Sequence, residues 1–274
     1  MRKYFSFIKQ YLNPPIHAPQ AEPAKPIIYA HYDDALSDCS VAAYQNDLLV
    51  QVIAEKTKLL VQQSDKPLSQ VLVQTLTAIL MAQPKEKRPW QVVDFGGACG
   101  ATYLQLKAYL PPDIRWMVVE TPSMVKAATS LSNQNLSFFD NLSDIAQQTQ
   151  NIDLLFVSGT LQSVDKPGYY LEQLLDLGAK HIFFSRLGLT ALEKNITIVH
   201  RSQLSDNGVG VLPEQFKDQV IAYPLTYMPE NLFQQKINPG YIPTIYFEDR
   251  SGLVSIPGVD LIGYAIFLTK RQTQ

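Results

Sequence analysis

The sequence predicts an α/β fold, a mostly parallel, doubly wound sheet with an N-terminal helical cap, and three observations predict it. From Trp90 onward, short apolar runs alternate with helix-length segments at the spacing of strand–helix–strand crossovers. The runs are apolar at consecutive positions, as in VVDF and HIFF, so each strand meets a core on both faces. A glycine-rich turn, VVDFGGACG over residues 92–100, follows the first run and opens a helix.

The elements follow in order. Residues 1–34 read as an arm. Within it, Pro14, Pro15, Pro19, Pro23 and Pro26 punctuate a linker over 13–28 that can neither continue a helix nor pair as a central strand. The opening MRKYFSFIKQYL is too short and too interrupted for a secretory signal; a membrane-surface helix and a frayed first helix are its two readings. Residues 35–89 read as a helical cap, with helical spacing from Ala35 to Ala82. Leu48, Leu49, Val52, Ile53, Lys56, Leu59 and Leu60 share one face. After Lys66-Pro67 the pattern repeats through Leu68, Val71, Leu72, Thr75, Leu76, Ile79 and Leu80. So wide an apolar face needs a partner. It predicts a cap over the carboxyl ends of the strands, with His31, Tyr32 and Tyr44 nearby. The alternative is a packing element that stabilises the sheet or pairs two subunits in a homo-oligomer.

Residues 90–274 then form the sheet domain. Strands are expected at 91–95, 115–120, 136–139, 152–158 and 180–185, and helices at 103–110, 124–131, 142–150 and 169–177. Past a turn at Arg186, segments 196–200, 241–247 and 263–269 are strand-like. The last two are expected to pair antiparallel at the sheet edge.

Composition narrows the function. The chain has 274 residues, 46% hydrophobic and 18% charged, enough apolar material for a large core. A net charge of -2 supplies no basic field for nucleic acid. No run approaches the roughly 20 apolar residues of a membrane helix. Two cysteines, Cys39 and Cys99, make no disulfide framework and suit a reducing compartment, so a cytoplasmic location is expected. No His, Cys or Asp cluster has metal-ligand spacing, and no metal is expected.

The chemistry centres on the glycine turn. Gly96, Gly97 and Gly100 let the backbone turn sharply and approach a ligand. The spacing fails the dinucleotide fingerprint G-x-G-x-x-G, because Ala98 and Ala101 fall at its third and sixth positions. Asp94, two residues before the first glycine, would repel a pyrophosphate and attract a cation. A nicotinamide-dependent oxidoreductase is disfavoured on both counts.

Asp94-x-Gly96-x-Ala98-x-Gly100 resembles motif I of the class I, Rossmann-like methyltransferases, D/E-x-G-x-G-x-G, with alanine at the middle glycine. Most of the chain is similar to methyltransferases associated with bacterial surface-polysaccharide gene clusters. The matching features are YAHYDDAL (29–36), DFGGACG, WMVVETP, IDLLFVSGTLQSV, the Arg186 turn and YPLTYMPENLF (223–233). The resemblance implies S-adenosylmethionine on this loop, its ammonium and sulfonium attracted by Asp94. It places Glu120, acceptor-only with two oxygens, against the ribose hydroxyls. Asp140 or Asn141 would contact the adenine amino group, or else cap the following helix. Ser158, Gly159 and Thr160 would lie beside the methyl donor. The implied acceptor is a small molecule or sugar-linked, in surface glycan biosynthesis.

The catalytic base stays unassigned. His200 is the candidate, with Tyr169, Tyr170 and Tyr223 below it. His181 reads as structural, His17 lies in the proline-rich segment, and His31 reads as a lid residue or a solvated one. The absence of N-P-P-[YF] after the fourth strand argues against exocyclic-amine methylation. Ala98 and the missing base also leave open a domain of the same fold that binds the cofactor or a partner without catalysis.

Overall fold

The computed structural model describes residues 27–39, 46–61, 67–250 and 253–272. The proline-rich arm through Pro26, with His17, and also Tyr44 lie outside the described residues. In chain order the elements are β1 (Ile28–Tyr29), α1 (Tyr32–Ser37), α2 (Asp47–Val61), α3 (Gln70–Met81), β2 (Gln91–Phe95) and α4 (Ala101–Leu106). There follow β3 (Arg115–Val119), α5 (Pro122–Ala128), β4 (Leu136–Phe139), α6 (Leu142–Gln148), β5 (Leu154–Ser158) and α7 (Pro167–Asp176). The chain ends with β6 (His181–Thr190), β7 (Ile196–Gln203), β8 (Val220–Pro229), α8 (Glu230–Ile237), β9 (Tyr241–Glu248) and β10 (Leu261–Lys270).

Consecutive apolar residues put a core on each face of the sheet. Val93, Leu155, Val157 and Phe184 pack with Leu171, Leu174 and Phe233 of α7 and α8. Their neighbours Val92, Phe156 and Phe183 point the other way and pack with Ile79 of α3 and Leu106 of α4. The fold is therefore α/β and doubly wound, as expected.

The main sheet runs β4–β3–β2–β5–β6–β10–β9. Strands β2 to β6 are parallel to their neighbours, and β10 is antiparallel to both β6 and β9. The two C-terminal strands do pair antiparallel, with β10 inside and β9 outermost. Pro243 fits β9, which pairs within the sheet with β10 alone, at a register shift. The chain begins at β2, moves outward to β4, then returns to lay β5 on the other side of β2. Between β2 and β5 the winding reverses, and ligands of open α/β sheets bind in the crevice outside the carboxyl ends at such a reversal.

Four sequence-based assignments are corrected. The helices expected at 103–110 and 124–131 begin two residues earlier, at Ala101 and Pro122, and tighten into 3-10 turns at Lys107–Tyr109 and Thr129–Leu131. Pro167 opens α7, where its missing N–H costs nothing. Arg186 is not a turn: β6 continues through it, with a bulge, to Thr190 and exchanges neighbours there. Up to Ser185 it pairs with β5, and at Leu189 and Thr190 it pairs with β8. β8, β7 and β1 form an antiparallel leaf that was not legible as such.

Of the N-terminal helices, α3 packs on the sheet face beside α4. α2 packs instead against β7, β8, α5 and the glycine loop, with Leu49, Val52 and Ile53 touching a cluster that holds Cys99, Met124 and Ile198. Lys56 lies on this apolar face because its ammonium is satisfied there: Nζ donates to the carbonyls of Ser205 at 2.6 Å and Asn207 at 2.7 Å. Burial holds its pKa below the usual lysine range. Among the described residues no helix is long and apolar enough to cross a membrane.

Candidate functional site at the strand crossover

The winding reversal brings the loop after β2 against the loop after β5. Asp94 alternates with Val93 and Phe95, so it faces the Trp116 side of the sheet, where Trp116 Nε1 donates to its Oδ2 at 3.0 Å. Asp94 is 1% exposed. Burial, opposed by the Trp116 bond, pushes its pKa up to about 7. The carboxylate thus lies beneath the loop.

The glycines are needed for contacts within the chain. Gly96 has φ +75°, and a Cβ there would meet the Thr160 side chain at 2.2 Å. A Cβ on Gly97 would meet Asp94 Oδ2 at 2.3 Å. Gly100, also at φ +75°, precedes α4 and donates its N–H to the Gly97 carbonyl at 2.9 Å. Between them Ala98 takes φ +50°, a left-handed conformation with no glycine to ease it. Replacing Ala98 with glycine relieves about 1–2 kcal/mol of local strain against about 0.5–1 kcal/mol of added chain entropy. We expect Ala98→Gly to raise the unfolding free energy by up to about 1 kcal/mol in urea titrations. A lower stability would show that the methyl's packing outweighs the strain.

Glu120 follows β3 directly. Its Oε1 accepts the Ala98 N–H at 3.1 Å and its Oε2 accepts the Thr121 N–H at 2.8 Å. Desolvation raises its pKa and these two bonds oppose the rise. A carboxylate has about four acceptor positions, and these two bonds take about half of them. Glu120 is therefore neither a free strand-end acid nor fully consumed.

The remaining residues of the sequence reading fall in different places. Asp140 is exposed after β4, and Asn141 caps α6, its Oδ1 accepting the Ser143 N–H at 2.9 Å. Ser158, Gly159 and Thr160 are half-buried at the end of β5, with Thr160 against Gly96. His200 sits on the antiparallel leaf, ring to ring with Tyr223 at 5.2 Å, and burial lowers its pKa. His181 bonds Thr269 through Nδ1 at 3.2 Å and stacks on Phe267, a structural placement. His31 and Tyr32 line a separate recess of about 310 Å³ beside Asp165 and Lys166.

Two residues were missed by sequence reasoning. Trp116 carried no signal beyond an aromatic in a strand, and its bond to Asp94 appears only in the sheet register. Arg186 had a readable signal, a lone charge within the apolar run HIFFSRLGLT. Its Nε donates to Ser158 Oγ at 3.2 Å and its Nη2 to the Ser158 carbonyl at 3.3 Å.

No family model matches the chain, and no curated protein matches it. Among solved structures, it is similar to the N-terminal domain of EvdMO1 with SAH bound, at 13% identity and a TM-score of 0.47 over 75% of this chain and 83% of that one. It is also similar to magnesium protoporphyrin IX methyltransferase from Synechocystis with bound SAM, at 10% identity and a TM-score of 0.45 over 82% and 98% of the two chains. A third likeness is an S-adenosylmethionine-dependent methyltransferase from Clostridium acetobutylicum, at 8% identity and a TM-score of 0.45 over 75% and 92%. These are distant likenesses, all below a TM-score of 0.5, and carry nothing about this chain's chemistry.

Proposed function

We propose that the chain binds S-adenosylmethionine in the crevice between β2 and β5 and transfers its methyl group to a small-molecule or sugar-linked acceptor, in surface glycan biosynthesis. The observation that carries the reading is the pair of carboxylates at the ends of adjacent parallel strands. Asp94 lies under the glycine loop and Glu120 holds its edge, two carboxyl groups whose ionised forms a cationic ligand between them would favour. Glu120's spare acceptor positions suit the ribose hydroxyls, and the short side chains of residues 158–160 leave room for donor and acceptor to approach. S-adenosylmethionine supplies an activated methyl on a sulfonium, so positioning can provide much of the rate. The chain's own part is to orient the two reactants and exclude water. His200 is the proposed base, acting from the antiparallel leaf.

Calorimetry with S-adenosylhomocysteine and, separately, NAD tests the cofactor. The homologue should bind and NAD should not. Glu120→Ala should weaken S-adenosylhomocysteine by about 1.5–3 kcal/mol, the worth of hydrogen bonds to a charged group. Unchanged affinity, or binding of NAD instead, would remove the basis of the reading. Turnover on a panel of nucleotide-sugars separates an enzyme from a domain that only binds.

A further inference from the structure

At Arg186, β6 changes neighbours from β5 to β8, and the strand marks the exchange with a bulge. Opposite it, the β10 register skips between Tyr264 and Ile266. Arg186 itself has φ +51°, and it is the one exposed position in a strand otherwise buried or nearly so. A bulge with a left-handed residue re-aims a side chain, and a non-glycine residue holds that conformation where the surroundings impose it. Here the re-aimed guanidinium lies over Gly159, where an added Cβ would be 3.4 Å from its Cζ.

The guanidinium is only partly used. Two of its five N–H groups go to Ser158. Among the described residues no carboxylate lies within ion-pair distance of it. Two buried polar atoms on residues linked to its backbone have no hydrogen-bond partner. Ser185 Oγ, on a residue with no exposed surface, is one neighbour in sequence away. Gln162 Oε1 is the other, on the side chain whose Nε2 donates to the Arg186 carbonyl at 3.0 Å. Burial raises the pKa of Asp94 and of Tyr223, and the Arg186 charge is near enough to both to oppose that rise slightly. Arg186 thus stands between the glycine loop and the leaf that carries His200.

We infer that Arg186, with Ser158, forms an oxyanion-binding site at the fork of β6, and that it recognises a carboxylate or phosphate on the molecule that receives the methyl group. The acceptor class is narrowed to anionic compounds such as a uronate or a sugar phosphate. This rests on the proposed methyl transfer for the word acceptor, while the anion site stands on the fork alone. The forked donor pattern of an arginine fits a planar pair of oxygens.

The test titrates the full chain with inorganic phosphate, glucuronate and glucose at constant ionic strength, following the Arg186 Nε–Hε resonance by NMR and the thermal midpoint. Phosphate and glucuronate should move both, glucose neither, with glucuronate about tenfold tighter than glucose from one charge-assisted contact. Arg186→Asn, which tolerates the left-handed backbone, should abolish the preference. Arg186→Lys, which keeps the charge and loses the fork, should retain part of it. Equal binding of glucuronate and glucose, or an unchanged preference in Arg186→Asn, overturns the inference; if that variant fails to fold, a wild-type Arg186 resonance unmoved by both anions does the same. Anion binding without any S-adenosylhomocysteine binding would keep this site and sink the methyltransferase reading.

Discussion

Asp94→Asn should make the protein more stable and bind S-adenosylmethionine more weakly. The Asp94 carboxyl has a pKa of about 7 in the fold against 3.8 for a free side chain. Between those values the unfolded chain has released a proton that the folded chain keeps, so stability falls as pH rises through this window. Asparagine keeps the Trp116 bond and has no such term. The variant should therefore gain little near pH 4 and up to about 4 kcal/mol by pH 8, measured as the difference in urea unfolding free energy from wild type. Affinity moves the other way. A cationic ligand stabilises the ionised carboxylate that burial disfavours, so its loss should weaken S-adenosylmethionine by about 1.5–3 kcal/mol. A stability difference flat across pH would show that Asp94 is not the titrating group.

Arg88→Ala should cost about 3–5 kcal/mol, the usual penalty for leaving a buried charge without its partner. At the amino ends of β2 and β5, opposite the crevice, Arg88 grips Asp153 with both nitrogens. Nη1 donates to Oδ2 at 2.7 Å and Nη2 to Oδ1. Asp153, 1% exposed, also accepts the Gln91 N–H at 3.0 Å, which fixes the start of β2. Lys180, 3.5 Å from Asp153, remains and places the expected loss toward the lower figure. The double variant Arg88→Ala, Asp153→Asn should recover part of the stability, because the orphaned charge is gone. S-adenosylhomocysteine affinity in whatever fraction stays folded should be unchanged. A shared loss of both would mean the pair reaches the crevice.

Much of the sheet was legible because its strands are unambiguous. VVDF and LSFF have no helical period and are flanked by turn residues, and β2 and β4 fall where the sequence put them. The glycine turn was legible because Gly96 and Gly100 sit where positive φ is needed. What stayed hidden depends on partners distant in the chain. β8 contains Pro224, which argues against a central strand, yet it pairs with β7 on one side and with β6 through only two residue pairs on the other. The sequence put Lys56 on the apolar face of its helix, but the carbonyls after β7 that satisfy it there are distant in the chain. Asp94 was found by its motif, but its burial under the loop needed Trp116, set beside it by the sheet register. Asn141 was given two roles by its position, and the structure shows its capping bond.

Glu120 ties the loop to β3 with the chain's own atoms, through Ala98 on one oxygen and Thr121 on the other. The shape of the crevice is therefore fixed when the chain folds. Ordering a loose backbone costs about 1–2 kcal/mol per residue, and a ligand entering here meets a loop whose freedom is already gone. Its association should be fast and its heat-capacity change small, since little apolar surface beyond its own contacts is buried in the event. The same rigidity removes induced fit of this loop as a source of discrimination. On the proposed methyl transfer, selection between acceptors would act elsewhere in the crevice, through groups that meet the second substrate rather than through closure around the first.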